Sequence, residues 1–202
     1  MLTFTKKEKT LLKKLNTPAK IQDFLNGLKF NFEQKGETLK SPILTLRARK
    51  AHCFEGAMLG AYILSLHGFM PYLMYLKAIK GDYDHVIVPF KVNGFWGALS
   101  KTNHAVLRYR EPIYKNIREL ALSYFHEYFL NNGQKTLRQY SALLNLNTFK
   151  KDWGAMDGNL WYIDKKLDKV KHYDIFPKSY IKKLRKADKV EIKAGKIVEQ
   201  RR

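Results

Sequence analysis

The sequence has one cysteine, six prolines and only 18 acidic residues against 38 lysines and arginines. A single cysteine excludes an internal disulfide and a zinc site with four cysteine ligands. The most apolar stretch, residues 57–66, is shorter than the ~20 residues that a transmembrane helix needs. Hydrophobic residues make up 45% of the 202 residues, which excludes wholesale disorder and predicts one compact domain.

The first 15 residues interleave lysines with leucines and contain neither an unbroken apolar stretch nor a small-residue cleavage site. A secretory signal peptide requires both features. We therefore expect a cytoplasmic protein with no transmembrane segment.

The net charge of +20 favours contact with an anionic partner. Residues 165–202 carry 14 basic and five acidic residues, which is nearly half of that charge. We predict a domain over residues 1–175, with its core at about 42–112, and a basic C-terminal tail over residues 176–202 that packs little. A solvated tail is the favoured interpretation, and weak, nonspecific attachment to nucleic acid or an anionic membrane is the alternative.

The first half of the chain predicts a helix followed by a small antiparallel sheet. Thr17 and Pro18 form a helix start, because threonine caps helices and proline suits the first helical position. A buried helix is predicted over residues 52–67, where Gly56 and Gly60 permit close packing and Gly68 ends the helix. Three strands follow, over residues 71–79, 85–92 and 95–99, with an Asn-Gly hairpin turn at 93–94.

The second half predicts more helices. Apolar residues at helical spacing predict a long helix over residues 114–130 and a second one over residues 136–146. Residues 103–111 are assigned to a short strand before Pro112. The predicted fold is therefore α+β, with N- and C-terminal helices flanking the sheet.

Cys53 stands where a loop becomes the predicted helix. Free N–H groups and the partial positive charge of a helix N-terminus lower a thiol pKa and can bind a developing oxyanion. His85 begins the second strand of the neighbouring sheet and is the best candidate for a general base. Taken alone, the pair is also compatible with a buried structural cysteine and a structural histidine.

This order of segments resembles the transglutaminase-like superfamily, which has a papain-like Cys-His-Asp core. The matching stretches are CFEGA from residue 53, DHVIV from residue 84 and NGFWGAL from residue 93. Residues 103–112, NHAVLRYREP, and the tyrosine-rich segment after them resemble an uncharacterised bacterial branch of the superfamily. The superfamily motif covers residues 51 to about 103, and the resemblance to the branch extends over most of the chain.

The resemblance implies that Cys53 is the nucleophile and His85 the base. The third, acidic member of the family triad usually follows the tryptophan by about four residues, and here that position is Ser100. Serine accepts a hydrogen bond from a histidine N–H but cannot stabilise an imidazolium by charge. Asn103 is the alternative third member, whereas Asp82 and Asp84 precede the histidine in sequence.

Other residues near the pair have two interpretations each. His52 is predicted to donate to the oxyanion or line the cleft, or to be a polar loop residue. Trp96 is a candidate for stacking on substrate, although core packing is favoured. Glu55 in the first helical turn suits a structural role. His104 is a reserve base.

No cofactor and no metal are predicted, because the sequence has no paired-cysteine, His-Glu-x-x-His or glycine-rich phosphate motif. A metal on Cys53, His52 and His85 has no supporting spacing. Three basic residues just before the cysteine are expected to favour the thiolate and attract an acidic substrate: Arg47, Arg49 and Lys50.

These observations lead to three hypotheses. The first is cysteine-dependent acyl transfer, with hydrolysis of a peptide or protein amide bond favoured over transfer to an amine. The second is a transglutaminase-like binding module without catalysis, which the serine at position 100 motivates. The third is a basic protein that binds an anionic polymer.

Overall fold

A computed structural model describes residues 1–150 and 152–201 and confirms a mixed α+β fold. Its helices are α1 Lys6–Lys14, α2 Pro18–Asn26, α3 Pro42–Ala48, α4 Cys53–Leu66, α5 Ile117–Leu122, α6 Trp161–Lys169 and α7 Lys189–Gly195. Its strands are β1 Lys29–Phe30, β2 Lys50–Ala51, β3 Tyr72–Ala78, β4 His85–Val92, β5 Phe95–Leu99, β6 Arg110–Tyr114, β7 Leu137–Ser141, β8 Leu144–Asn145 and β9 His172–Asp174.

Seven of the strands form one antiparallel sheet in the order β6-β5-β4-β3-β7-β9, with β8 also paired to β3. The three predicted strands are therefore the centre of a larger sheet than the sequence indicated. The short strands β1 and β2 form a separate parallel pair.

Helix α4 packs against β4 and is buried along most of its length. It is apolar on all sides, which is typical of a helix inside a core rather than on a surface. A Cβ at Gly60 would lie 3.1 Å from a Leu99 methyl group, so glycine allows the close approach that the sequence predicted. Gly68, with φ of 84°, follows the end of the helix, as expected.

The β4–β5 hairpin places the start of β4 beside the residue that follows β5. Asn93 and Gly94 both have positive φ, which suits the tight turn that this dipeptide predicts. The register pairs Val92 with Phe95 and Val88 with Leu99. Ser100 therefore emerges next to the beginning of β4, where His85 lies.

The prediction of two long helices in the second half of the chain is wrong. In the first of these segments, α5 spans six residues and a single 3-10 turn follows at Phe125–Glu127. Residues 136–146 form β7 and β8, because pairing with β3 outweighs the local helical spacing. The strand assigned to residues 103–111 lies later, as β6, and tolerates Pro112 because β6 is an edge strand.

The basic C-terminal residues form backbone hydrogen bonds with the rest of the chain at several points. Strand β9 pairs with β7 at one edge of the sheet. Farther along, Ala105 N–H donates to the Ile197 carbonyl at 2.9 Å, and Glu199 N–H donates to the Asn103 carbonyl at 2.8 Å. We call residues 189–201 the C-terminal strap. Within residues 1–150 and 152–201, no helix is long and apolar enough to cross a membrane.

Candidate active site

A cavity of about 880 Å³ lies where the first turn of α4 meets the start of β4. His52, Cys53 and His85 all line it. The segment after β5, the region around Tyr128 and the C-terminal strap form its other walls. The structure thus places the cysteine and both neighbouring histidines around one space.

Cys53 is the first residue of α4, and His52 is the residue that caps the helix. The Gly56 N–H donates to the His52 carbonyl, which begins the helical hydrogen bonding. The N–H groups before Gly56 have no carbonyl one turn earlier to bind, so they are oriented toward the cap. A carbonyl oxygen beside the Cys53 sulfur is therefore within the field of a helix N-terminus.

His85 and Ser100 form a buried hydrogen bond of 2.7 Å between Nε2 and Oγ. The Ser100 hydroxyl donates to the Leu107 carbonyl, so its oxygen can only accept from the imidazole. Nε2 must then carry the hydrogen, which leaves Nδ1 of His85 unprotonated in the neutral ring. The structure thus assigns the tautomer in which Nδ1 is the free base.

Ser100 is itself held by Gln22, a buried residue of α2. The Gln22 side-chain amide donates to the Ser100 carbonyl at 2.7 Å and accepts from the Ser100 N–H at 2.9 Å. Both backbone groups of Ser100 are therefore paired with one side chain from a distant helix. The clamp determines where the serine hydroxyl lies and, through it, where the His85 ring lies.

His52 has a different environment. Its Nε2 lies 2.7 Å from the Thr38 carbonyl, 3.6 Å from a Glu33 carboxylate oxygen and 3.7 Å from a Glu55 carboxylate oxygen. A carbonyl only accepts hydrogen bonds, so Nε2 of this ring carries a hydrogen. Two carboxylates at this distance favour the imidazolium form.

Glu55 is fully buried and is the most heavily hydrogen-bonded acid near the cavity. Its carboxylate accepts from the His52 N–H at 3.2 Å and pairs with the Lys40 ammonium. The Asn31 amide and the Thr38 hydroxyl donate to it at 3.0 and 2.8 Å. Glu55 thus has the structural role that its position in the first helical turn suggested, and it also adds negative charge beside His52.

The two histidines change the acidity of the thiol. Burial raises the pKa of Cys53, but hydrogen bonds and positive charge from His52 and His85 outweigh burial and lower it to about 5. Burial lowers the pKa of His52, but the Cys53 hydrogen bond and charge, the Glu55 charge and the Thr38 carbonyl raise it to about 9. The favoured state near neutral pH is a thiolate beside a protonated His52.

Asn103 also lines the cavity, whereas Trp96 packs elsewhere. The Asn103 side chain donates to the Gln200 carbonyl and accepts from the Gln200 N–H, so its amide is occupied by the strap. Trp96 lies beside Tyr72 and the Lys91 ammonium, and it is not among the described residues that line the cavity. Its indole is partly buried and packs against the buried residues of the sheet, which is the packing role that the sequence favoured.

Two other neighbours of the pair have structural partners. Asp84 accepts from the Ala78 N–H, and His104 Nδ1 lies 3.1 Å from the Gly195 carbonyl. Two of the three basic residues expected to favour the thiolate have other partners. Arg47 pairs with Glu8, and the Arg49 guanidinium lies over the Phe24 ring.

Sequence reasoning missed a buried lysine in the cavity wall. Lys101 is fully buried, donates to the Leu28 carbonyl at 2.8 Å and lies 3.6 Å from Glu199 of the strap. Burial lowers the pKa of Lys101, and the Glu199 charge opposes that shift. A Cβ at Gly56 would lie 2.4 Å from the Lys101 Cβ. Only glycine at position 56 therefore leaves room for the Lys101 side chain to pass over α4.

No protein-family profile matches the sequence, and no curated protein sequence matches it. Within residues 1–150 and 152–201, no three His, Cys, Asp or Glu side chains are arranged to hold a metal ion. The geometry around Cys53 is therefore the basis for assigning a function.

Proposed function

We propose that the protein is a cysteine-dependent acyl-transfer enzyme that hydrolyses a peptide or amide bond. The observation that carries this proposal is the hydrogen bonding of His85. Its Nε2 is committed to Ser100, so Nδ1 remains for the Cys53 thiol, with which the ring interacts. A nucleophile, a base next to it and a third group that orients the base are the features of an activated cysteine.

The proposed reaction has two steps. The Cys53 sulfur attacks the substrate carbonyl carbon, a C–S bond forms and the carbonyl electron pair moves to oxygen, while His85 holds the thiol proton. The C–N bond then breaks, the departing amine takes that proton and a thioester remains. His85 next removes a proton from water, the hydroxide attacks the thioester, and the C–S bond breaks to release a carboxylic acid.

The N-terminus of α4 provides the site for the oxyanion in both steps. The oxyanion forms on an atom bonded to the carbon that Cys53 attacks, so it lies close to the first N–H groups of the helix. Donors that are already in place stabilise this charge without reorganisation. The absence of charge on Ser100 is compatible with this scheme, because orientation of the imidazole needs only an acceptor for Nε2–H.

The same features support the resemblance to the transglutaminase-like superfamily and its papain-like core. Cys53 begins a helix, His85 begins a strand, and the residue four positions after Trp96 contacts the histidine. We propose that Ser100 takes the place of the acidic member of that triad. A cytoplasmic location is part of the same proposal.

Acylation by p-nitrophenyl acetate tests the function. We expect a burst of one p-nitrophenolate per chain and an acetyl group on Cys53, identified by peptide mass spectrometry. Cys53→Ala should abolish the burst. His67→Gln is the matched control, because His67 lies at the other end of α4 and its ring forms a hydrogen bond with the Leu12 carbonyl. A wild-type chain without a burst would contradict catalysis and favour the binding-module hypothesis.

A further inference from the structure

Two imidazoles line the cavity beside the Cys53 thiol, and only one of them is needed as a base in the proposed reaction. The second, His52, is mostly buried and held by its own set of partners. This arrangement raises the question of what a second histidine contributes.

The groups around His52 come from three parts of the chain, and most of the titratable ones are acidic. Glu33 approaches from the loop before α3, Glu55 from the first turn of α4, and Asp164 of α6 is close enough for the two charges to interact. Lys40 pairs with Glu55 and offsets part of its charge. The Thr38 carbonyl on Nε2 and the two carboxylates stabilise the protonated ring, and the neighbouring Cys53 thiolate adds to that stabilisation.

We infer that His52 is a second catalytic residue, a permanently protonated imidazole that stabilises the Cys53 thiolate and does not exchange its proton during turnover. This inference rests on the proposed function. It assigns different roles to the two histidines: His85 transfers protons, and His52 supplies a constant positive charge beside the sulfur.

The chemistry of proton transfer supports this division. A proton shuttle works best when its pKa lies near the working pH. The pKa of His52, raised to about 9, makes the ring a poor shuttle at neutral pH but a stable counter-charge. His85 has a hydroxyl rather than a carboxylate on its far nitrogen, so the group that orients its ring adds no negative charge.

The pH dependence of Cys53 alkylation by iodoacetamide tests this inference. Below about pH 5 the thiol is protonated, and above about pH 9 His52 loses its charge. His52→Gln keeps a side-chain N–H donor but removes the charge. We expect its midpoint to rise by at least about one pH unit, which means about fivefold less thiolate at pH 5.

Glu33→Gln is a milder second variant, because the Glu33 side chain is about one-third exposed and glutamine retains an acceptor oxygen. It should lower the pKa of the His52 ring, followed through its imidazole C–H signals in an NMR titration, since one of the anions that hold the imidazolium is lost. The thiol midpoint should move much less than in His52→Gln. His67→Gln again serves as the control and should leave the thiol midpoint and the His52 pKa in place.

Failure of this inference is distinguishable from failure of the proposed function. A wild-type chain that shows the acylation burst, with a His52→Gln profile that matches the wild type, would overturn the role of His52 and leave the function intact. Loss of the burst in wild type would overturn the function instead. An unchanged His52 pKa in Glu33→Gln would also contradict a ring held in its charged form by the carboxylates around it.

Discussion

The two sides of the Cys53 thiol differ in charge. On the α4 side, His52 lies among carboxylates and a backbone carbonyl. On the sheet side, His85 binds the neutral Ser100 hydroxyl, which in turn donates to a carbonyl. The same ring is therefore surrounded by anions on one side and oriented by a neutral hydroxyl on the other, and we propose that these surroundings rather than residue type assign the roles.

His85→Ala should have the largest effect on activity of the variants that separate the two sides of the thiol. Acyl transfer to an anilide, whose leaving group needs a proton, should fall by about 10²- to 10⁴-fold, the usual contribution of a general acid–base residue. Alkylation of Cys53 at neutral pH should fall far less, because His52 still stabilises the thiolate. Parallel assays of p-nitroacetanilide cleavage and iodoacetamide labelling measure both. Equal losses in the two assays would mean that the histidines are not specialised.

Gly56→Ala tests the contact between α4 and the segment after β5, which form the two sides of the site. The added Cβ would meet the Lys101 side chain at 2.4 Å, so α4 and the segment after β5 must separate. We expect a loss of about 1–3 kcal/mol in the free energy of unfolding, the usual cost of overpacking, despite the better helix propensity of alanine. Urea denaturation measures it.

Gly60→Ala is the matched control on the same helix, since its Cβ would meet side-chain methyl groups at 3.1 and 3.3 Å. Its loss should be smaller than that of Gly56→Ala. Equal stability of the two variants would show that Lys101 does not constrain α4.

Gln22→Leu removes the clamp on the sheet side only. It leaves the buried N–H and carbonyl of Ser100 unpaired, which costs about 1–3 kcal/mol in the free energy of unfolding. Turnover should also fall, because Ser100 and then His85 lose their fixed positions, while the midpoint of Cys53 alkylation should stay near that of the wild type. A large shift of that midpoint would mean that the clamp also acts on the α4 side.

Ser100→Ala gives the smallest expected effect. It removes one neutral hydrogen bond from His85, worth about 0.5–1.5 kcal/mol, so the acylation rate should fall by roughly three- to tenfold. Ser141→Ala is the control, since Ser141 is also buried but binds backbone groups far from the cavity. An acylation rate equal to that of wild type would remove Ser100 from the catalytic arrangement.

Local signals were sufficient for the first half of the fold. The caps at Thr17 and Gly68 and the turn at residues 93–94 each depend on neighbouring residues, and the structure has these features where they were predicted. In the second half, helical spacing was misleading. Buried residues such as Leu120, Tyr124 and Tyr128 keep that spacing through a short helix and a 3-10 turn, so the pattern could not distinguish them from one long helix.

The parts of the candidate site that were missed depend on long-range contacts. Gln22 and Ser100 are 78 residues apart, and Asn103 and Gln200 are 97 residues apart. Nothing near Asn103 indicates that the strap occupies its amide. The basic composition of the strap predicted a solvated tail, but composition does not show that backbone groups at residues 197–200 pair with the segment after β5.

The most direct test of the central claim is the rate of Cys53 alkylation by iodoacetamide in the wild-type chain from about pH 4 to about pH 10. A thiolate flanked by two imidazoles should react at a rate that rises with a midpoint near pH 5 and is already high at neutral pH. A rate that stays low at neutral pH and rises with a midpoint near the ordinary thiol value of about 8.5 would contradict the account.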